Sequence, residues 1–504
     1  MALGTITFAQ KPSTGPTGVG TTESITVTNW TPVAGYMAYQ DNISSLYYFK
    51  LIIEVRVGDG SGELLAKLKQ KPNGYITDAA AGRARAFFDL KDIINDYVAP
   101  TLYDQNDTTP PYRSIHTIGA NTAAKPLSVS GDRLSAKPQV VEIYVKAYQE
   151  YSEAENVSPT EDATENVTDT QFYMQTARYL MKPRNTSTGI IQPPTNMTVW
   201  GYALLFLTDQ PLGQGFSGDV GLIGWRKRIF VRDGDYHTVA WLNDLTNFSS
   251  FSATITIKYY NAAGVQIASA GTETIANNST NGGCAPSATN TDTKRLIYFG
   301  SGPGNLEAQS VNTDLRPSAY PNWAWYKLTL NSSTYGLFFV RNSDISCSKY
   351  KVRRLAWRNS YGAWDYFNFT MRNTETVELT RSSYNSLLGE LGSDVYTYND
   401  TDRGTSTSKV YAKVKESLQT DWILPDKQLT DSDTGGGGFP IGYSTLMEQL
   451  FLSNEVYMIE NSDTDTTIPV IVTDKKFIRK TRLTDKMIQY TVNIEHANPL
   501  NTNS

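Results

Sequence analysis

The apolar residues of this chain run no longer than a β-strand. The longest stretches, at 202–207 and 335–340, stop far short of the roughly 20 residues that a membrane-spanning helix needs. Most others are bounded by Gly, Asn, Asp or Pro. The residues filling them suit a half-buried pleated surface: 31 Tyr, 18 Phe and 9 Trp, with Thr, Ser and Asn at polar positions. The pattern predicts a mainly β protein. At 504 residues it is expected to be multidomain, with successive β-sandwich-like domains, a few short helices and long loops.

Charge narrows the partners. With 45 basic and 50 acidic residues the chain has no broad positive field, so DNA contact is disfavoured and no membrane span is expected. The N-terminus lacks a basic segment followed by an apolar stretch, and no secretory signal is read there. Two cysteines, Cys284 and Cys347, allow at most one bridge, so the fold is expected to stand on packing.

Three units are predicted: an N-terminal β region over 1–210 with inserted loops at 99–137 and 150–169, a middle β-domain over 221–400, and a β-rich domain over 405–504 around a glycine run at 435–438. Residues 47–57 and 63–69 read as a hairpin around a glycine-rich turn. Asp89 is placed to cap a short helix whose Leu90, Ile93, Ile94 and Tyr97 share a face. The segment 150–169, dense in carboxylates, reads as a solvated loop. Strands are expected at 171–180 and 198–207, and in the middle domain at 227–231, 237–242, 253–260, 294–299, 323–330 and 335–340. Toward the C-terminus a helix is expected at 446–452 and strands at 456–459, 469–472 and 487–494.

Catalytic patterns are sparse. His116, His237 and His496 stand in separate segments without a carboxylate or cysteine at ligand spacing, and no nucleophile elbow or phosphate loop occurs. One G-x-G-x-x-G, at Gly213, Gly215 and Gly218, has Gln210-Pro211 before it and no helix pattern after it, so it reads as a loop. No catalytic, cofactor or metal residue is assigned, and no cofactor is expected. Trp323, Trp325, Trp357 and Trp364 could form a sugar-stacking platform, although strand alternation favours their burial.

The densest motif spans 353–369. It predicts two strands around an Asn-x-x-Gly turn: Trp357 leads in, Asn359, Tyr361 and Gly362 make the turn, and Trp364, Asp365, Tyr366 and Phe369 lead out, with the Asn and Asp side chains bonding to turn backbone. A basic cluster, Lys475, Lys476, Arg479, Lys480, Arg482 and Lys486, interrupts an acidic chain and reads as a solvated or partner-facing strand pair.

The stretch from Trp357 to Phe369 resembles a motif of virion structural proteins of tailed bacteriophages, notably those of Bacteroidetes hosts. Residues 48–98 and 451–499 are similar to further parts of such proteins. The resemblance implies a non-enzymatic tail, baseplate or ring subunit, made in the bacterial cytoplasm and located in the virion, that assembles as a homo-oligomer with neighbouring tail proteins. The polar stretches 99–137, 150–169 and 276–292 then become candidate intersubunit arms. The alternatives are a receptor-binding tail protein that recognises a host surface glycan and, less favoured, a polysaccharide depolymerase using carboxylates such as Asp365.

Overall fold

The structure, a computed structural model, describes residues 5–11, 25–27, 35–40, 46–58, 60–72, 75–76, 83–97, 140–174, 206–210, 212–214, 225–243, 252–267, 271–276, 295–307, 313–330, 336–341, 350–359, 363–389, 395–423, 427–428, 440–441, 443–459, 467–479 and 487–500. It is mainly β, with several sheets and short helices, as its residue pattern predicts.

The N-terminal part contains β1 (Ile6–Gln10), β2 (Ile25–Val27), β3 (Gly35–Gln40), β4 (Tyr47–Val57), β5 (Leu64–Gln70), β6 (Tyr75–Ile76), β7 (Arg83–Asp89), α1 (Lys91–Tyr97), β8 (Val140–Ser152) and β9 (Thr160–Met174). These strands make two sheets, ordered β1-β3-β7-β6 and β2-β9-β8-β4-β5. Period-two alternation turns Leu51, Ile53 and Val55 of β4, with Ile143, Val145 and Ala147 of β8, to one side. There they share a core with Tyr36, Ala38, Ala86 and Phe88 of the smaller sheet. The expected β4–β5 hairpin is present, and Gly60 in its turn has φ 93° and lies so close to Tyr144 that a Cβ would sit 2.8 Å from the ring. Asp89 caps α1 as predicted, its carboxylate accepting the Lys91 N–H at 3.0 Å, and Leu90 and Ile94 are buried.

The acidic segment 150–169 is not a loop. It forms the ends of β8 and β9, with only 153–159 turning between them. Two of its carboxylates, Glu150 and Glu161, are neutralised across the sheet by lysines distant in sequence. Glu150 meets Lys50 at 3.1 Å and Lys69 at 3.0 Å, while Glu161 meets Lys67 at 2.6 Å and Lys69 at 2.7 Å.

The middle part contains β10 (Leu212–Gln214), β11 (Trp225–Val231), β12 (Thr238–Asn243), β13 (Ser252–Tyr260), β14 (Gly271–Ala276), β15 (Arg295–Gly300), α2 (Pro303–Glu307), β16 (Trp325–Leu330) and β17 (Gly336–Arg341). A six-stranded sheet, β10-β11-β17-β16-β13-β14, and the β12–β15 ribbon enclose a core that includes Ile229, Ile255, Phe299, Trp323, Tyr326 and Phe339. β11 and β17 pair in parallel, whereas their neighbours are antiparallel. Tyr260 and Trp325, cross-strand partners on the opposite face, stack at 3.9 Å between ring centroids.

The last part contains β18 (Arg353–Arg358), β19 (Trp364–Phe369), β20 (Thr374–Asn385), β21 (Thr405–Gln419), the short pair β22 (Lys427–Gln428) and β23 (Pro440–Ile441), α3 (Tyr443–Leu452), β24 (Val456–Ile459), β25 (Thr467–Val472) and β26 (Thr491–His496). Seven of these strands form one antiparallel sheet, β19-β18-β24-β25-β26-β21-β20. Leu446, Met447 and Leu450 of α3 pack into its core with Leu355, Trp357, Met458 and Val492. The 353–369 hairpin expected in the middle domain is thus hydrogen-bonded into the C-terminal sheet through β24. The division expected between 400 and 405 falls inside the β20–β21 connection, because pairing partners here lie up to about a hundred residues apart along the chain. The expected strand at 198–207 is described only from Phe206, where the chain is not a strand, and β9 covers only the start of 171–180. The stretches 99–137 and 277–292, the glycine run, both cysteines and His116 lie outside the described residues.

The ion-pair ladder across β4, β5, β8 and β9 carries a pH signature. Hydrogen bonds from Lys67 and Lys69 hold the Glu161 carboxyl at about 2, below its usual value near 4.5. A depressed carboxylate stabilises the fold above its unfolded-state value, and that contribution disappears as pH falls toward 2. Glu161→Gln is expected to lower the urea midpoint at pH 6, and the gap from wild type should close between pH 4.5 and 2.

Candidate functional site

The β18–β19 hairpin is buried on both faces. Leu355, Trp357 and Phe369 point toward α3, whereas Arg354, Tyr366 and Asn368 point toward β12 and the turn before it. Across that second face runs a buried polar network. Asp235 accepts from Arg232 at 3.0 Å and from Asn368 at 2.5 Å, and it meets Arg354 at 3.4 Å. Arg354 also donates to the Tyr236 carbonyl at 2.8 Å and to Asn368 at 2.9 Å, and its guanidinium lies 5.2 Å from the centroid of the Tyr366 ring. Burial works to raise the Asp235 carboxyl, but the Arg354 and Arg232 guanidiniums hold it below the usual carboxylate range. The Tyr366 hydroxyl bonds with Thr238, and its ring lies 4.4 Å from His237.

The turn of this hairpin is described at its two ends, Asn359 and Ala363. Asn359 accepts the Ala363 N–H at 3.0 Å, as an Asn at a turn should, while Tyr361 and Gly362 lie outside the described residues. Asp365 bonds beyond its own hairpin. It accepts from the Thr208 hydroxyl, from the Asp209 N–H at 2.7 Å and from the Asn359 amide at 3.1 Å, tying down residues 206–210. Gln210 completes that clamp by donating to the Tyr366 carbonyl at 2.8 Å. Asp365 is fully buried and has three donors, so no polysaccharide can reach it. Trp323, Trp325, Trp357 and Trp364 are all buried too, and none offers a ring to a sugar. Among the described residues, no three His, Cys, Asp or Glu side chains gather as metal ligands, and no helix is long and apolar enough to cross a membrane.

The surface that does reach outward is the β20–β21 ribbon, which sequence patterning does not single out. All twelve residues of β20 are exposed. β26 pairs with β21 along 415–419, and beyond that β21 is laddered to β20 and accepts the Leu500 N–H at the Ala412 carbonyl, 3.0 Å away. The root is fixed: Arg353 donates to buried Glu416 at 2.7 Å and reaches Glu375 at 3.3 Å, and His496 lies 3.2 Å from Glu416. One face carries Val377, Leu379 and Val410, each more than a third exposed, and the other carries the Lys415–Glu378 and Lys413–Glu495 ion pairs. Near the tip, Leu387, Tyr396 and Tyr398 stand in water, and Gly389 closes the loop at φ 93°, where a Cβ would collide with the Thr397 carbonyl at 2.2 Å. An isolated two-stranded ribbon is marginally stable in water, and a continuous exposed apolar patch marks an interaction surface.

Two other exposed features remain. Lys475 and Lys476 are exposed on irregular chain after β25 rather than on the expected strand pair, and Arg479 is ion-paired with Glu448; Lys480, Arg482 and Lys486 lie outside the described residues. An open cleft is lined by Tyr48, Lys50, Lys71, Glu155 and Asn156, with Tyr48 at φ 54° where the β4–β8 register shifts.

No protein family model matches the chain, and no curated protein matches it in sequence.

Removing the Asp235 carboxylate would leave Arg354 buried against the middle sheet without its counter-charge. Asp235→Ala is expected to cost about 3–5 kcal/mol in urea unfolding. The double variant Asp235→Ala/Arg354→Leu should cost less than the sum of the two single changes, which a double-mutant cycle reads directly.

Proposed function

We propose that this chain is a non-enzymatic structural subunit of a tailed-phage virion, a tail, baseplate or ring component that assembles with copies of itself and with neighbouring tail proteins. The observation that carries the reading is the β20–β21 ribbon. It is an arm, ion-paired at its root, that leaves apolar side chains in water together with the outer edge of β20, which has no ladder partner among the described strands, and natural proteins avoid such exposure unless another chain covers it. The sequence likeness of residues 357–369, 48–98 and 451–499 to phage tail proteins supplies the setting. The best-formed polar constellations, around Asp235 and Asp365, are buried and saturated by protein donors, as suits a scaffold.

A host-glycan receptor role is the second reading. It rests on the strained Tyr48 beside exposed Tyr47 at the rim of the cleft, since an exposed aromatic ring next to polar groups suits sugar stacking. Saturable glycan binding that Tyr48→Ala abolishes would favour it.

Two measurements test the assembly reading. Antibody raised against the purified chain is expected to decorate the tail of intact virions; particles free of label would overturn the assignment. Replacing residues 379–412 by an Asn-Gly turn trims the arm at the facing pair Glu378 and Lys413. The trimmed protein is expected to keep its β circular dichroism and melting cooperativity, yet no longer enter particles when it replaces the full chain.

A further inference from the structure

β20 ends the seven-stranded sheet, and its outer side carries a row of backbone groups with no ladder partner among the described strands. Edge strands are usually blunted by shortness, by proline or by bulges. This one runs regularly from Thr374 to Ser382 before the ladder shifts between Ser382 and Ser383, and it contains no proline. The midpoint of that regular stretch is Glu378.

We propose that β20 pairs antiparallel with β20 of a second copy of this chain about a two-fold axis at Glu378, setting Glu375 opposite Arg381 and Val377 opposite Leu379 across the new ladder. The proposal names the partner of the arm on which the assembly reading rests.

The side chains of this stretch are self-complementary about that point. On the face shared with Val410 and Val414, the order Glu375, Val377, Leu379, Arg381 reads against its own reverse as two opposite-charge pairs flanking two apolar pairs. On the other face Thr374 meets Ser382 and Thr376 meets Thr380. The two copies of Glu378 meet on the axis, each already ion-paired with its own Lys415, so the row alternates in charge as lysine, glutamate pair, lysine. Moving the axis by one residue spoils the match, because it sets Glu375 against Leu379 or Val377 against Arg381. Moving it by half a residue turns the second ribbon over, which places its polar face beside the apolar one.

The paired arms would form a four-stranded sheet in which the exposed Val377 and Leu379 of each copy cover one another. Each tip, with Leu387, Tyr396 and Tyr398, would run toward the root of the other arm. An isologous contact of this kind closes at two copies. A ring around a tail axis would therefore be built from such pairs, joined to one another through other surfaces.

The test uses the full chain. Sedimentation at about 1 to 100 µM is expected to show a monomer–dimer equilibrium. Leu379→Lys, at a side chain about half exposed, should weaken it by roughly tenfold or more while leaving the melting curve unchanged. Cysteine placement reads the register. Glu378→Cys should give a covalent dimer on mild oxidation, since residues opposite one another on an axis bring their Cβ atoms within about 5 Å. Thr376→Cys should not, because its own copy lies about four residues further along, roughly 13 Å away. The wild type controls for Cys284 and Cys347. A monomer at every concentration, a dimer indifferent to Leu379→Lys, or equal crosslinking at 376 and 378 would overturn the pairing. The first of these outcomes assigns the edge to a strand from a different protein. None of the three alters the virion-labelling result, so the two proposals fail separately.

Discussion

A guanidinium shut away from water is tolerable only where a carboxylate and hydrogen-bond acceptors meet it, and Arg354 is placed between two sheets under that condition. Its partners come from the turn before β12 and from β19, so the ion pair holds only when the middle sheet and the C-terminal sheet are in register. The surrounding contacts repeat the constraint. Thr238 bonds to Tyr366, His237 packs on the same ring, Asp365 binds the chain that enters the middle core at Phe206, and Gln210 of that chain donates to the Tyr366 carbonyl. A polar seam of this kind adds less net stability than an apolar one of equal size, but it allows one arrangement and penalises slippage.

That seam explains why the 353–369 motif is legible in the sequence and why its purpose is not. Alternating aromatics around an Asn-x-x-Gly turn identify two strands, and β18 and β19 form where the pattern places them. Alternation alone implies one wet face, whereas both faces here are covered. The excess of Arg, Asn and Asp over ordinary outward-facing residues is the trace of the second contact. Partners such as Asp235 and Thr208 lie more than a hundred residues away and have no spacing rule that would reveal them.

The same limit explains the acidic segment at 150–169. Carboxylates close together along a chain repel, so composition assigns them to solvent. In the sheet they alternate with Lys50, Lys67 and Lys69 from β4 and β5, which turns local repulsion into cross-strand attraction. The helix at Asp89 needed no such distant information. A cap and the face it starts are local properties, and the structure bears out the Asp89 cap and the burial of Leu90 and Ile94.

β20 is hard to read in the sequence for a complementary reason. Its residues alternate weakly, with Thr and Ser diluting Val377 and Leu379, so by hydrophobicity it resembles loop more than strand. Yet a strand that buries nothing in its own chain is retained only if the lost hydrophobic and hydrogen-bonding energy is recovered elsewhere. The buried Arg353–Glu416 pair ties the root of the ribbon to β18. If the arm pairs as proposed, part of the folding information of this chain serves a contact between molecules. The reversal symmetry of Glu375, Val377, Leu379 and Arg381 is where that information is most readable.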